Sequence, residues 1–126
     1  MKKVIVFGCG KGGYNTYKYY SNKYHIVAFT DNNKELYGTM INNIKVINPN
    51  QISNFNYDMI LIASMYKESI LKQLINELDI SKNNIELVSD NILNNPSTSI
   101  SKEILFFTLL SISVYILTKL LEYSLK

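Results

Sequence analysis

The sequence predicts an α/β fold, a parallel sheet of about five strands with helices on both faces, followed by an apolar C-terminal helix. Three observations predict it. Short β-branched runs alternate with helical segments along the first two thirds of the chain, the pattern of a parallel sheet covered by helices. The first run ends in the glycine-rich loop Gly8-Cys9-Gly10-Lys11-Gly12-Gly13. A long uncharged stretch begins at Ile104. Together these describe a Rossmann-like arrangement.

The elements follow in order. Lys3 to Phe7 is continuously apolar after its first residue, as a strand buried on both faces must be. Gly12 to about Tyr20 reads as a helix, and His25 to Thr30 as a second strand that ends at the turn-forming cluster Asp31-Asn32-Asn33. Ile44 to Ile47 is a short third strand closed by Asn48-Pro49, and Pro49 opens a brief helical turn reaching about Asn54. Tyr57 to Ala63 is the fourth strand. Lys67 to Leu78 places Ile70, Leu71, Leu74, Ile75 and Leu78 on one side of an amphipathic helix. Ile85 to Val88 is the fifth strand, and the expected spatial order of these five is 3-2-1-4-5.

The expected organisation is a nucleotide-binding domain over residues 1–88, a linker over 89–101 rich in Asn, Ser and Thr with Pro96, and an apolar helix over 102–126. As a helix, Ile104 to Leu121 would span roughly 27 Å, close to a hydrocarbon core, with Lys119 able to reach the interface. Thr108, Ser111, Tyr115, Thr118 and Glu122 share one face of it. Two readings stay open: a membrane anchor whose hydroxyl stripe packs on another helix, or an oligomerisation helix buried by partner chains.

Composition excludes several classes. All 13 basic residues are lysines, and the net charge of +3 is spread along the chain. Nucleic-acid readers cluster their cations on one face, so no nucleic-acid partner is expected. The single Cys9 excludes an internal disulfide, and with the single His25 it excludes a Cys/His zinc site, so no metal is expected. The apolar run after Met1 is too short for a signal peptide, which points to a cytoplasmic domain, tethered to the membrane if the C-terminal helix is an anchor.

The glycine loop carries the chemistry. Gly8, Gly10 and Gly13 satisfy the G-x-G-x-x-G pattern between a strand and a helix. Gly8 permits the tight turn, Gly10 lets the backbone approach a pyrophosphate, and Gly13 lets helix and strand pack closely. The N–H groups and partial positive charge at the helix start favour an anion. Asp31 ends the next strand and is placed to accept ribose hydroxyls; its charge favours NAD over NADP. The binding residues expected are Gly8, Cys9, Gly10, Lys11, Gly12, Gly13, Asp31, Asn32, Ala63 and Ser64.

The runs KKVIVFGCGKGG, VAFTDNN, GTMINNIKVINPNQI and YDMILIAS over roughly residues 2 to 88 resemble short Rossmann domains of bacterial surface-sugar enzymes. Such domains precede capsular-polysaccharide sugar-nucleotide dehydratases and begin certain sugar acetyltransferases. The resemblance implies a dinucleotide site in the first case and a nucleotide-sugar site, for example for a UDP-sugar, in the second. It places the ligand at Gly8 to Gly13, Asp31 and Ala63-Ser64. An anchor-like helix takes the place of a catalytic domain after Val88, so chemistry is expected to need a partner enzyme chain, and a homo-oligomer is the alternative assembly.

Weaker signals surround the loop. Tyr14 and Lys18 match a Y-x-x-x-K pattern of short-chain dehydrogenases, but they lie too early in the chain and read as helix packing. Cys9 sits where a helix N-terminus could activate a thiol, although the loop needs small residues in any case. His25 reads as a structural or surface residue. Ser64, Tyr66 and Lys67 follow the fourth strand and are further ligand-contact candidates, with helix capping as the alternative for Ser64. The functions left open are a nucleotide-binding module, an oxidoreductase or sugar-nucleotide-modifying subunit completed by another chain, and a membrane-tethered regulatory protein without catalysis.

Overall fold

The computed structural model describes residues 1–94 and 114–124. The first compact unit spans Met1–Pro96 and the second Ser97–Lys126. The first holds β1 (Lys3–Phe7), α1 (Lys11–Tyr20), β2 (His25–Thr30), β3 (Met40–Ile41), β4 (Ile44–Ile47), β5 (Met59–Ile62), α2 (Lys67–Lys72), β6 (Ile85–Leu87) and α3 (Asp90–Asn94). The six strands form one sheet in the order β3-β4-β2-β1-β5-β6. All pairings are parallel except β3 with β4. The five expected strands therefore lie in the expected order, with a sixth added at the edge.

That sixth strand has a local cause. Asn42 and Asn43 both adopt positive φ, 49° and 64°. This is the geometry of a two-residue type I′ hairpin turn, which asparagine tolerates better than other residues with a side chain. The turn folds Met40–Ile41 back on Ile44–Ile47.

The alternation of side chains along the central strands builds two cores. Val4 and Val6 of β1 join Ile26, Phe29, Val46 and Leu61 on the face covered by α1 and α3. Ile5 and Phe7 join Ala28, Ile47, Ile60 and Ile62 on the face covered by α2 and the 3-10 turn Pro49–Asn54, which supplies Ile52. Residues buried on both sides explain why the strand sequences are unbroken apolar runs. One irregularity lies in β2, where the register steps from Val4↔Ile26 to Ile5↔Ala28. Val27 is thus an extra residue, a bulge that twists the strand and resets which side chains face each core.

Helix ends follow from local chemistry. Asn48 and Gln51 form a reciprocal capping box around Pro49. The helix expected over Lys67 to Leu78 runs as α-helix to Lys72 and then as a π-helical turn over Gln73–Glu77. Its inward residues Ile70 and Leu74 are buried. Asp90–Asn94, read from composition as part of the linker, is instead helical. Leu93 is 2% exposed in the core, and its carbonyl accepts a 2.8 Å hydrogen bond from the buried Asn15 amide of α1. One apolar anchor and one satisfied amide give this polar stretch a place on the fold.

In the second unit, residues 114–124 are helical and exposed. Lys119 and Glu122 pair at 3.5 Å. Among the described residues no helix is long and apolar enough to cross a membrane. The expected anchor or packing segment 104–121 has residues 104–113 outside the described residues, as does the remainder of the expected linker, 95–101.

Candidate functional site

The loop residues Gly8 to Gly13 sit where β1 ends and α1 begins, at the carboxyl edge of the sheet next to the reversal of strand order between β1 and β5. Ligands of open α/β sheets occupy this edge. Gly8, Cys9, Gly10, Lys11, Gly12, Asp31, Ala63 and Ser64 line one cleft of about 260 Å³, which Met65, Tyr66, Leu93 and Asn94 complete. An adjoining cavity of about 370 Å³ shares Gly8, Asp31, Ser64 and Tyr66 with the first and adds Asn32. Nine of the ten expected binding residues thus border this cleft and its neighbour.

Gly13 is the exception. Its α-hydrogen faces the loop itself, and a Cβ there would meet the Gly8 carbonyl, 2.7 Å from the carbon. Gly13 closes the loop on the strand. Gly8 has a φ of +126°, and a Cβ would meet the Ala63 carbonyl group. A Cβ on Gly12 would lie 2.8 Å from the Ala63 oxygen and 3.1 Å from Leu93. Internal packing accounts for all three glycines. Gly10 differs: a Cβ there would meet nothing within 4 Å, and its φ of −81° is open to any residue.

Backbone donors divide in the same way. Gly8 N–H donates to Thr30 O at 2.8 Å, continuing the β1–β2 pairing. Cys9 N–H donates to Asp31 Oδ2 at 2.9 Å, and Asn33 N–H donates to Asp31 Oδ1 at 2.8 Å. Asp31 therefore ties the loop to the end of β2 and braces its own turn. The bond to Asn33 fits the turn expected at Asp31-Asn32-Asn33, while the bond to Cys9 is a further role that the ribose assignment did not include. Each carboxylate oxygen retains a further lone pair for a ligand. The first N–H groups of α1, from Lys11 onward, have no intrahelical acceptor. Gly10 offers no side-chain cap, and the first turn holds no acidic residue. The positive end of the α1 dipole therefore meets no cap or acid of its own helix, and Asp31 is the carboxylate that borders it in the cleft.

The thiol of Cys9 is not activated. Burial first, and then the Asp31 charge, push it up to about 12 from its ordinary value of 9.0. Desolvation and a neighbouring carboxylate both oppose thiolate formation, and here they outweigh the helix N-terminus. Lys18 lies over the Tyr14 ring, 4.7 Å from its centroid, so the Y-x-x-x-K pair is a cation–π contact along α1. His25 is exposed at the opposite edge of the sheet, where its N–H donates to Lys2 O at 2.9 Å. Lys67 pairs with Asp90 at 2.8 Å and so links the starts of α2 and α3. Ser64 Oγ accepts from Tyr66 N–H at 3.1 Å, one residue ahead of α2, shaping the loop that leads into the helix.

Asn32 is engaged by Gln73 in a reciprocal amide pair, at 2.8 and 2.9 Å. Met65, Leu93 and Asn94 line the first cleft without having been singled out by the sequence, and Met65 simply follows Ser64 in the chain. Leu93 and Asn94 are the distant pair. They reach the cleft through α3, and the one available signal was the Ile92-Leu93 pair within the polar stretch.

The fold is similar to UDP-D-quinovosamine 4-dehydrogenase from Vibrio fischeri, with a TM-score of 0.55 at 19% identity over 74% of this chain and 84% of that one. It is similar also to the Rex-family repressor RSP. For RSP in complex with β-NAD+ and operator DNA the TM-score is 0.54 at 15% identity, over 97% of this chain and 61% of that one. For RSP with β-NADH it is 0.54 at 16% identity. The chain thus spans less than two thirds of the length of these RSP chains. A search of curated protein sequences finds no match. Residues 1–86 match the family model described as C2185-like, N-terminal, and the chain belongs to that family.

Proposed function

We propose that the chain is a nucleotide-binding module that holds the phosphates of NAD or of a nucleotide sugar against the N-terminus of α1. The observation that carries this reading is the contrast at Gly10. Three loop glycines are demanded by neighbouring atoms, while Gly10 is demanded by none and borders the cleft. A Cβ-free surface beside uncapped helix N–H groups is what close approach by a phosphate requires. The Asp31 carboxylate at the end of β2 accepts ribose hydroxyls and repels a 2′-phosphate, which favours NAD over NADP.

A role in surface-sugar or sugar-nucleotide metabolism is part of the proposal. It is supported by the resemblance of the loop and strand runs and by a structural neighbour named as a UDP-sugar dehydrogenase. Cys9, Lys11, Asp31, Ser64 and Tyr66 border the cleft. Asp31 is bonded to loop N–H groups and Ser64 Oγ to Tyr66 N–H rather than to one another, and chemistry on the ligand is proposed to belong to a partner chain. One structural neighbour was crystallised with operator DNA. The dispersed lysines and the lack of arginine keep nucleic acid outside the present reading. A cytoplasmic location, and contact of the 104–121 segment with a membrane or with another copy, also belong to the proposal. Partition of the full chain between vesicles and buffer tests that last part.

Calorimetric titration of the full chain with NAD, NADP and UDP-glucose tests the central claim. The expected result is saturable binding of NAD or UDP-glucose, with NADP weaker than NAD. Absence of heat and of thermal stabilisation with all three refutes it.

A further inference from the structure

We infer that the cavity between the end of β2 and the start of α2 receives a nucleobase, and that the Tyr66 ring is the platform on which the base stacks. The inference rests on the phosphate reading of the loop. The two cavities share Gly8, Asp31, Ser64 and Tyr66, so a ligand anchored at α1 continues past Asp31 into the second cavity. That second cavity combines apolar Phe7 and Ile70 with polar Ser69 and Asn32. Apolar walls with a few polar groups suit a flat heteroaromatic ring that carries hydrogen-bonding edges.

Tyr66 has a fixed stem and a free ring. Its N–H donates to Ser64 Oγ at 3.1 Å and its carbonyl accepts from Ile70 N–H at 3.1 Å, which sets its backbone on both sides. The residue is nonetheless 76% exposed. Among the described residues its ring stacks on no other ring. A tyrosine has only two side-chain torsions to order on binding, which makes it an effective contact for a planar ligand. Stacking on an aromatic ring tolerates any base, because every base presents a π-face. Asn32, which lines this cavity, is held by its reciprocal amide pair with Gln73 of the π-helical turn that follows α2.

The test is calorimetry on the full chain and its Tyr66→Ala and Tyr66→Phe variants with ADP, UDP and inorganic pyrophosphate. Tyr66→Ala is expected to weaken ADP and UDP about 5- to 150-fold, the range of base–aromatic stacking. Pyrophosphate, which has no base, should bind both variants as it binds the unaltered chain. Tyr66→Phe keeps the ring and should stay within about twofold for all three. Unchanged ADP and UDP affinities in Tyr66→Ala overturn the inference and leave the phosphate reading standing. An equal loss for pyrophosphate overturns it too, since the ring would then be supporting the loop. Binding of none of the three by the unaltered chain overturns the phosphate reading and this inference together.

Discussion

The glycine loop yields a test in which four similar substitutions have opposite outcomes. Gly10→Ala places its Cβ in open space at a φ that alanine accepts. Gly→Ala at a compatible position gains about 0.4–1 kcal/mol through the unfolded chain. Losing glycine at an N-cap costs a few tenths to about 1 kcal/mol. These offset, so the melting temperature should stay within about 4 °C of the unaltered chain. Gly13→Ala instead drives a Cβ into the Gly8 carbonyl, and Gly8→Ala combines positive φ with collision against the Ala63 carbonyl. Backbone atoms on both sides leave little room for relaxation, so each should cost at least about 1–3 kcal/mol. A domain of this size then melts about 4–8 °C lower for each kcal/mol lost. Gly12→Ala, 2.8 Å from the Ala63 oxygen, should fall between. Binding reverses the ranking. The Gly10→Ala methyl group stands between the phosphate and the helix N–H groups and removes one charge-assisted hydrogen bond or more, about 1.5–3 kcal/mol, or roughly 10- to 150-fold in affinity. Thermal denaturation and calorimetry with NAD or UDP-glucose measure both quantities on the same samples. A Gly10→Ala protein that is stable and binds as the unaltered chain does would refute the assignment of Gly10 to ligand approach.

Three further outcomes follow from single contacts. Asp31→Ala strands the Cys9 and Asn33 N–H groups and should lower stability by about 1–3 kcal/mol, whereas Asp31→Asn keeps one acceptor, should lose less, and should narrow the preference for NAD over NADP. Equal melting of the unaltered chain and Asp31→Ala would count against the brace. Cys9, with its thiol pushed from 9.0 up to about 12, should react with iodoacetamide at pH 8 about a thousandfold more slowly in the folded chain than in the denatured chain. Below pH 9 both states hold the proton; between pH 9 and about 12 only the folded state does, so stability falls as pH rises through that window. Cys9→Ala should remove that part of the decline, and an identical pH profile in the variant would contradict it. Asn15→Ala leaves the buried Leu93 carbonyl without its partner and should cost about 1–3 kcal/mol, with faster amide exchange in α3. Unchanged exchange there would show that α3 is held by Leu93 alone.

Much of the fold was legible because its strands are buried on both faces. An unbroken run such as Val4 to Phe7 or Ile60 to Ala63 cannot be accommodated with one side in water, so it points directly to the interior of a parallel sheet. What escaped notice depended on geometry that leaves little trace in hydrophobic pattern. The β3–β4 hairpin is set by Asn42 and Asn43 in positive φ, and an Asn-Asn pair between Met40-Ile41 and Ile44 was its only signal. The Val27 bulge leaves the run His25 to Thr30 looking like any other strand. α3 lies in a polar stretch where composition favours a linker, because a five-residue helix anchored by one leucine has no periodicity to read.

The site was legible to a different depth, and the reason lies in the multiple uses of each residue. The G-x-G-x-x-G pattern is one motif in sequence and two physical requirements in space. Gly8 and Gly13 answer to each other and to Ala63, so they would be needed by any chain making this strand-to-helix turn, with or without a ligand. Only Gly10 is left unexplained by the protein's own atoms, and only Gly10 speaks for something outside it. Asp31 carries a similar ambiguity. Its position at the end of β2 predicted a ribose contact, yet its oxygens already hold Cys9 and Asn33. The bond to Cys9 pins the loop, which leaves the α1 N–H groups presented to the cleft before any ligand arrives. On the proposed reading, a carboxylate that both shapes the phosphate cradle and stands beside the ribose couples loop geometry to ligand choice. Asp31→Asn separates the two roles, since it preserves an acceptor for the loop while removing the charge that discriminates against a 2′-phosphate.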